Sequence, residues 1–223
     1  MKKTGFTLAE VLITLGIIGV VAAITIPSLM TAHKKHVTGA KLKKSVSTLN
    51  QAIKLSESEN GELETWDKSL DQEEFINIYL RPYMNIALTC KDITKCGYKQ
   101  SKAWKNLNGQ YNRYYEPTAY KRVPFITMDG VLYAFANNTY TTVNTDNDKI
   151  ILVDINGAKG PNIHGQDVFL LFRKEAEDSI IPYGADKGYN EIKTDCSTKG
   201  LGLYCAAWIY QNGCNIPSGY PLK

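Results

Sequence analysis

At 223 residues, the chain has room for one ordinary domain plus an accessory element. Hydrophobic residues make up 43% and charged residues 22%, proportions that exclude a wholly disordered chain. A formal charge of +4 is too small to mark a nucleic-acid surface by itself. The sequence also holds no nucleophile–base–acid set, phosphate loop or metalloprotease helix.

The N-terminus carries the sharpest signal. Lys2 and Lys3 precede Gly5, Phe6 opens an apolar run, and no charged residue occurs from Val11 to Ala32. Phe6 to Met30 is 25 residues, roughly 37 Å as a helix, enough to cross a hydrocarbon core of roughly 30 Å. Glu10 lies inside this run, where a carboxylate costs roughly 2.5–3.5 kcal/mol on insertion scales. Pro27 removes one helical hydrogen bond and is expected to kink or locally melt the helix. Gly16 and Gly19 allow helix backbones to approach closely.

Beyond the apolar run, Leu42, Val46, Leu49 and Ile53 recur at helical spacing, so residues 33–60 read as an amphipathic continuation ending near Asn60-Gly61. A short helix is expected after Asp71, with Glu73 and Glu74 in its first turn, ending before Pro82. Residues 83–120 read as loops. The period then switches to two. Val123–Met128 and Val131–Ala136 flank Asp129-Gly130, a two-residue hairpin signal. Tyr140–Val143, Lys149–Ile155 and Val168–Arg173 read as further strands, with Asn144, Asp146 and Asp148 in a turn. A last strand is expected around Tyr204–Tyr210. The fold class is α+β, a long helix laid on an antiparallel sheet.

Five cysteines stand at 90, 96, 196, 205 and 214. Their grouping in loop-rich sequence points to an oxidising compartment, and their spacing does not suit zinc. Sequence leaves the connectivity open; Cys90–Cys96 and Cys196–Cys205 are the favoured pairs, with Cys214 left over. Asp154, Asn156, Asn162 and Asp167 place oxygen donors on a glycine-rich loop. They could hold a hard cation such as calcium or form an ordered turn held by Asx hydrogen bonds. No other cofactor is expected.

The segment GFTLAEVLITLGIIGVVAAITIP resembles the N-terminus of type IV prepilins and type II secretion pseudopilins. The match is close over residues 1–30 and loose over the amphipathic helix. The resemblance implies a leader at 1–5, a membrane-spanning and filament-core helix at 6–32, its continuation at 33–60, and an α+β domain outside the inner membrane at 61–223. It implies that a prepilin peptidase cuts Gly5–Phe6 on the cytoplasmic side and methylates the Phe6 amine. Phe6, Glu10 and Pro27 are then the assembly residues, with Glu10 of one subunit facing a neighbour's Phe6 amine. Some pseudopilins also carry a calcium loop in a comparable region, without a residue-level match here.

The implied partners are the peptidase, other pilin or pseudopilin subunits, an assembly platform and membrane lipid, and no nucleic acid. Charge bias opposes the implied orientation. Lys34, Lys35, Lys41, Lys43 and Lys44 outweigh the leader and alone would place the C-terminal side in the cytoplasm. The alternative function is a minor pilin acting as a ligand- or DNA-binding module, for which the tyrosine- and arginine-rich stretch from Tyr111 to Arg122 is a weak basis. A membrane-anchored hydrolase lacks a catalytic cluster. The chain is expected not to be an enzyme.

Overall fold

The structure is a computed structural model describing residues 5, 7–67, 69–119, 122–135, 150–174 and 179–222. The chain forms two compact units, one up to Val37 and one from Thr38 on. Helix α1, Leu8–Asn60, contributes to both.

In the first unit the large apolar side chains are exposed. Large hydrophobic residues from Leu8 to Met30 are 44–79% exposed, and α1 is apolar and long enough here to cross a membrane. The helix continues through Pro27 without melting. Proline forfeits one N–H, while the surrounding ladder persists.

In the second unit α1 becomes one-sided. Thr38, Gly39, Leu42, Ser45, Val46, Leu49, Ala52, Ile53 and Ser56 are buried, a stripe at steps of three and four that follows from 3.6 residues per turn. The four expected apolar positions are on it; the small residues between them went unpredicted. Gly61, at φ 80°, follows the helix as expected for a left-handed stop. Helix α2, Gln72–Tyr79, is capped by the Asp71 carboxylate, which accepts from the Glu73 and Glu74 amides at 2.9 Å each.

Among the described residues, six antiparallel strands form a sheet in the order of the chain. They are β1 Ile86–Thr89, β2 Val123–Thr127, β3 Leu132–Phe135, β4 Ile150–Asp154, β5 Val168–Lys174 and β6 Ser179–Pro182. Their side chains alternate between two cores. Tyr133, Ile151, Val153, Phe169 and Leu171 join the α1 stripe. Leu132, Ala134, Ile150, Leu152, Val168 and Leu170 pack on Cys90, Ile93, Cys96, Tyr98, Trp104 and Leu203. All five residues of β4 are buried, which is why its run of Ile150-Ile151-Leu152-Val153 is apolar without alternation.

Several expectations change. The stretch Tyr204–Tyr210 is not a strand: Cys205–Gln211 forms a helix, α4, preceded by α3 at Tyr189–Asp195. Tyr, Trp and Ile gave it a β-like composition, but Cys205 through Ile209 are buried consecutively, and Ala206-Ala207 favours helix. The β2–β3 turn runs from Thr127 to Val131, with the Thr127 amide donating to the Val131 carbonyl and the Gly130 amide to Thr127. Gly130, at φ 81°, takes the left-handed position. Strands β1 and β6 and helix α3 were not foreseen. The expected strand Tyr140–Val143 and the turn at Asn144, Asp146 and Asp148 lie outside the described residues.

Each edge of the sheet receives side-chain hydrogen bonds. At β6 the Asn50 side chain on α1 accepts from the Ile180 amide at 2.8 Å and donates to its carbonyl at 2.9 Å, in place of a seventh strand. At β1 the Arg81 guanidinium donates to the Ile86 carbonyl at 3.2 Å.

Candidate functional site

The head of α1 is built by Thr7 and Glu10. The Thr7 amide and hydroxyl both donate to Glu10 Oε2 at 2.8 Å, and the Glu10 amide donates back to Thr7 Oγ1 at 3.3 Å. This is a reciprocal capping box, in which the threonine precedes the helix and the glutamate is its third residue. The pattern Thr-x-x-Glu before an apolar run was its signal in the sequence and was overlooked. Gly5 lies just outside the box, and a Cβ built on it meets nothing within 4 Å. Phe6 is outside the described residues.

Four hydroxyls of the apolar run are turned inward on their own helix. Thr14, Thr25, Ser28 and Thr31 donate to the carbonyls of Val11, Val21, Thr25 and Pro27 at 2.8–2.9 Å. Back-bonding of this kind satisfies a hydroxyl where no water reaches it. Cβ atoms built on Gly16 and Gly19 meet nothing within 4 Å, leaving two flat places on an apolar rod.

In the second unit, Cys90–Cys96 and Cys196–Cys205 are disulfides with Cα separations of 5.9 and 5.1 Å. Cys214 is free. Denatured, unreduced protein is accordingly expected to show one reactive thiol of five. Five would contradict both pairs and the oxidising compartment they imply.

The structure gathers Asp154, Asn156, Asn162 and Asp167 in one loop cluster. Asp154 accepts from the buried Tyr98 hydroxyl at 2.7 Å and from the Asn156 amide at 3.1 Å. Asp167 accepts from the Asn162 and Ile163 amides at 2.9 and 2.8 Å. Burial, reinforced by the charge of Asp167, drives the Asp154 carboxyl well above its usual range, and burial raises Asp167 too. Tyr98, Glu116 and His164 were not singled out as site residues from sequence. His164 is buried edge-on to Trp104 and Tyr115, and burial pushes it down to about 3, so it stays neutral. Burial pushes Glu116 up to about 7. Among the described residues no group of three or more His, Cys, Asp or Glu is placed to hold a metal.

The comparisons with known proteins agree with this division. Residues 1–26 match the prokaryotic N-terminal methylation motif, which supports a type IV pilin-like protein. No curated protein and no solved structure matches the chain. Residues 28–223 match a family of unknown function (DUF6613), and the chain therefore belongs to that family, headed by a pilin-type methylation motif.

Proposed function

We propose that the chain is a pilin or pseudopilin subunit, cut between Gly5 and Phe6 by prepilin peptidase and polymerised through α1 into a pilus or pseudopilus. The observation that carries this is the uncovered apolar half of α1, headed by a capped glutamate and with its hydroxyls bonded internally. Exposed apolar area on that scale requires lipid or other subunits. The subunit waits as a single-pass inner-membrane protein with its N-terminus cytoplasmic and residues 61–223 outside. Two of the lysines that oppose this orientation are engaged with the folded domain. Lys41 donates to the Ile155 carbonyl at 3.3 Å, and Lys44 pairs with Asp129 at 2.6 Å. They serve the domain as well as the membrane flank, which weakens the charge-bias objection.

Co-expression with a prepilin peptidase is expected to remove residues 1–5 and leave N-methylated Phe6, read by mass spectrometry of the membrane fraction. A chain unchanged by an active peptidase would contradict the processing step.

The loop cluster supports a second property, calcium binding. Its donors fit a hard cation: two buried carboxylates, and the Asn156 and Asn162 side-chain oxygens, which are buried and accept no hydrogen bond. A ligand selective for the fold at 100 times its Kd stabilises by about 2.7 kcal/mol, or about 5–10 °C in Tm for a chain of this size. Millimolar calcium is expected to give that shift, and Asp154→Ala to remove it. No shift would leave the cluster as an Asx-bonded turn.

A further inference from the structure

Residues 111–119 lie against the second core as a short irregular segment. Glu116 and Pro117 are its buried residues, while Tyr111, Arg113, Tyr114 and Thr118 are exposed. The Tyr115 ring meets the buried His164 ring edge-on at 5.9 Å, and Arg122, just ahead of β2, donates to the Tyr114 and Glu116 carbonyls at 3.2 and 3.4 Å. Glu116 is 5% exposed, and neither oxygen of its carboxyl has a hydrogen-bond partner among the described residues. We propose that this segment is a strap controlled by pH: neutral Glu116 lets it close over His164, and ionised Glu116 loosens it. The inference does not depend on the filament reading.

The physics is that of an unpaired buried acid. A neutral carboxyl is buried at modest cost, whereas a carboxylate without partners is expensive out of water. The charged and titratable groups around Glu116 are Lys102, Tyr111, Arg122 and, across Tyr115, His164. Lys102 is exposed and stands over the Tyr111 ring at 5.2 Å. Its charge and the Trp104 amide favour the ionised form of Glu116, but burial outweighs both and pushes the carboxyl from its ordinary 4.5 up to about 7. Burial also raises Tyr111 and pushes His164 down to about 3, so both stay neutral across that interval, and Arg122 stays charged.

The sign follows from the proton count. With the strap open, Glu116 meets water and titrates at its ordinary value. Below that value it is neutral in both states, and opening does not depend on pH. Between 4.5 and about 7 the open state has lost a proton that the closed state keeps, so opening becomes about tenfold easier per pH unit. Above that window both states are ionised and the dependence ends.

The test is hydrogen exchange on the full chain in detergent micelles from pH 5 to 8, read by mass spectrometry and corrected for intrinsic rates. Protection of residues 112–119 is expected to fall about ten- to a hundredfold, while β5 keeps its protection. Glu116→Gln, of the same shape and never ionised, is expected to hold its pH 5 protection at pH 8. A second measurement needs no variant: carbethoxylation of His164 in the wild type, relative to the exposed His33 and His36, is expected to rise about tenfold or more over the same range. That measurement decides alone should Glu116→Gln not fold. Protection of 112–119 that ignores pH, an equal fall in Glu116→Gln, a parallel fall in β5, or a constant His164 ratio would each overturn the inference.

Discussion

Glu10→Ala is expected to give a chain that inserts, loses its leader, and then stays in the membrane. Insertion should improve, because the substitution removes a carboxylate that costs roughly 2.5–3.5 kcal/mol in an apolar span. Cleavage should persist, because the proposed scissile bond, Gly5–Phe6, is unchanged and a Cβ built on Gly5 meets nothing within 4 Å. Assembly should fail, because a neighbour's Phe6 amine would be buried without its counter-charge. Breaking one side of a buried pair costs about 3–5 kcal/mol, more than a hundredfold in each subunit contact. Alanine also removes the glutamate half of the capping box, while the amide of residue 10 can still donate to Thr7; even a whole lost cap costs only about 1 kcal/mol, so the missing charge dominates. Immunoblots of processed chain in membranes and of sheared filaments separate the steps. A processed Glu10→Ala chain at normal levels in filaments would remove the pairing.

Gly39→Val is expected to be among the most damaging single changes in the second unit. Gly39 lies on the buried stripe of α1, and a Cβ there would overlap the Cys214 carbonyl oxygen and stand 3.2 Å from its carbon. Both atoms are backbone and have no rotamer to escape to. Cys214 is itself held at φ 63°, with its amide donating to the Ile209 carbonyl at 2.9 Å. Overpacking costs about 1–3 kcal/mol, occasionally more, and a backbone neighbour belongs at the upper end. That corresponds to a fall in Tm of about 6–12 °C, measured by near-UV circular dichroism on detergent-solubilised chain. Gly16→Val, with nothing near its Cβ, serves as the control and should leave the transition in place. A Gly39→Val chain melting within about 2 °C of wild type would show that the helix and the C-terminal loop are not fitted this closely.

The sequence was most legible where one physical demand acts along a continuous stretch. The apolar half of α1, the Leu42–Val46–Leu49–Ile53 stripe, the Asp71 cap and the strands β2 to β5 each follow from a continuous apolar run, a periodicity or a local hydrogen bond. Legibility failed where tertiary contacts decide. Strand β1 is four residues long and lies in a stretch read as loop, with only its pairing to β2 making it a strand. Strand β6 is held by Asn50, 130 positions away in sequence. Helix α4 hid behind Trp208 and Tyr210, aromatic residues that pack into the core shared with α1. The small residues Gly39, Ser45 and Ala52 carry little apolar signal, yet they lie on the buried stripe of α1: Gly39 leaves room for the Cys214 backbone, and the Ser45 carbonyl accepts from the buried Tyr133 hydroxyl at 3.1 Å.

The head of α1 shows a different kind of miss. Glu10 stood out because a charge in an apolar run is costly, and that cost drew attention to partners on another chain. The nearer partner, Thr7, was legible in the same four residues. Glu10 caps its own helix, and the assembly contact proposed for it would use the same carboxylate.

As proposed, the chain becomes a filament subunit by exposing a new N-terminus at Phe6. The most direct measurement is intact-mass and N-terminal peptide analysis of the chain in filaments sheared from cells carrying the peptidase and an assembly platform. The expected result is a chain beginning at N-methylated Phe6, with Glu10 as its fifth residue. Filaments containing the chain with residues 1–5 still attached, or filaments lacking it while processed chain accumulates in the membrane, would contradict the account.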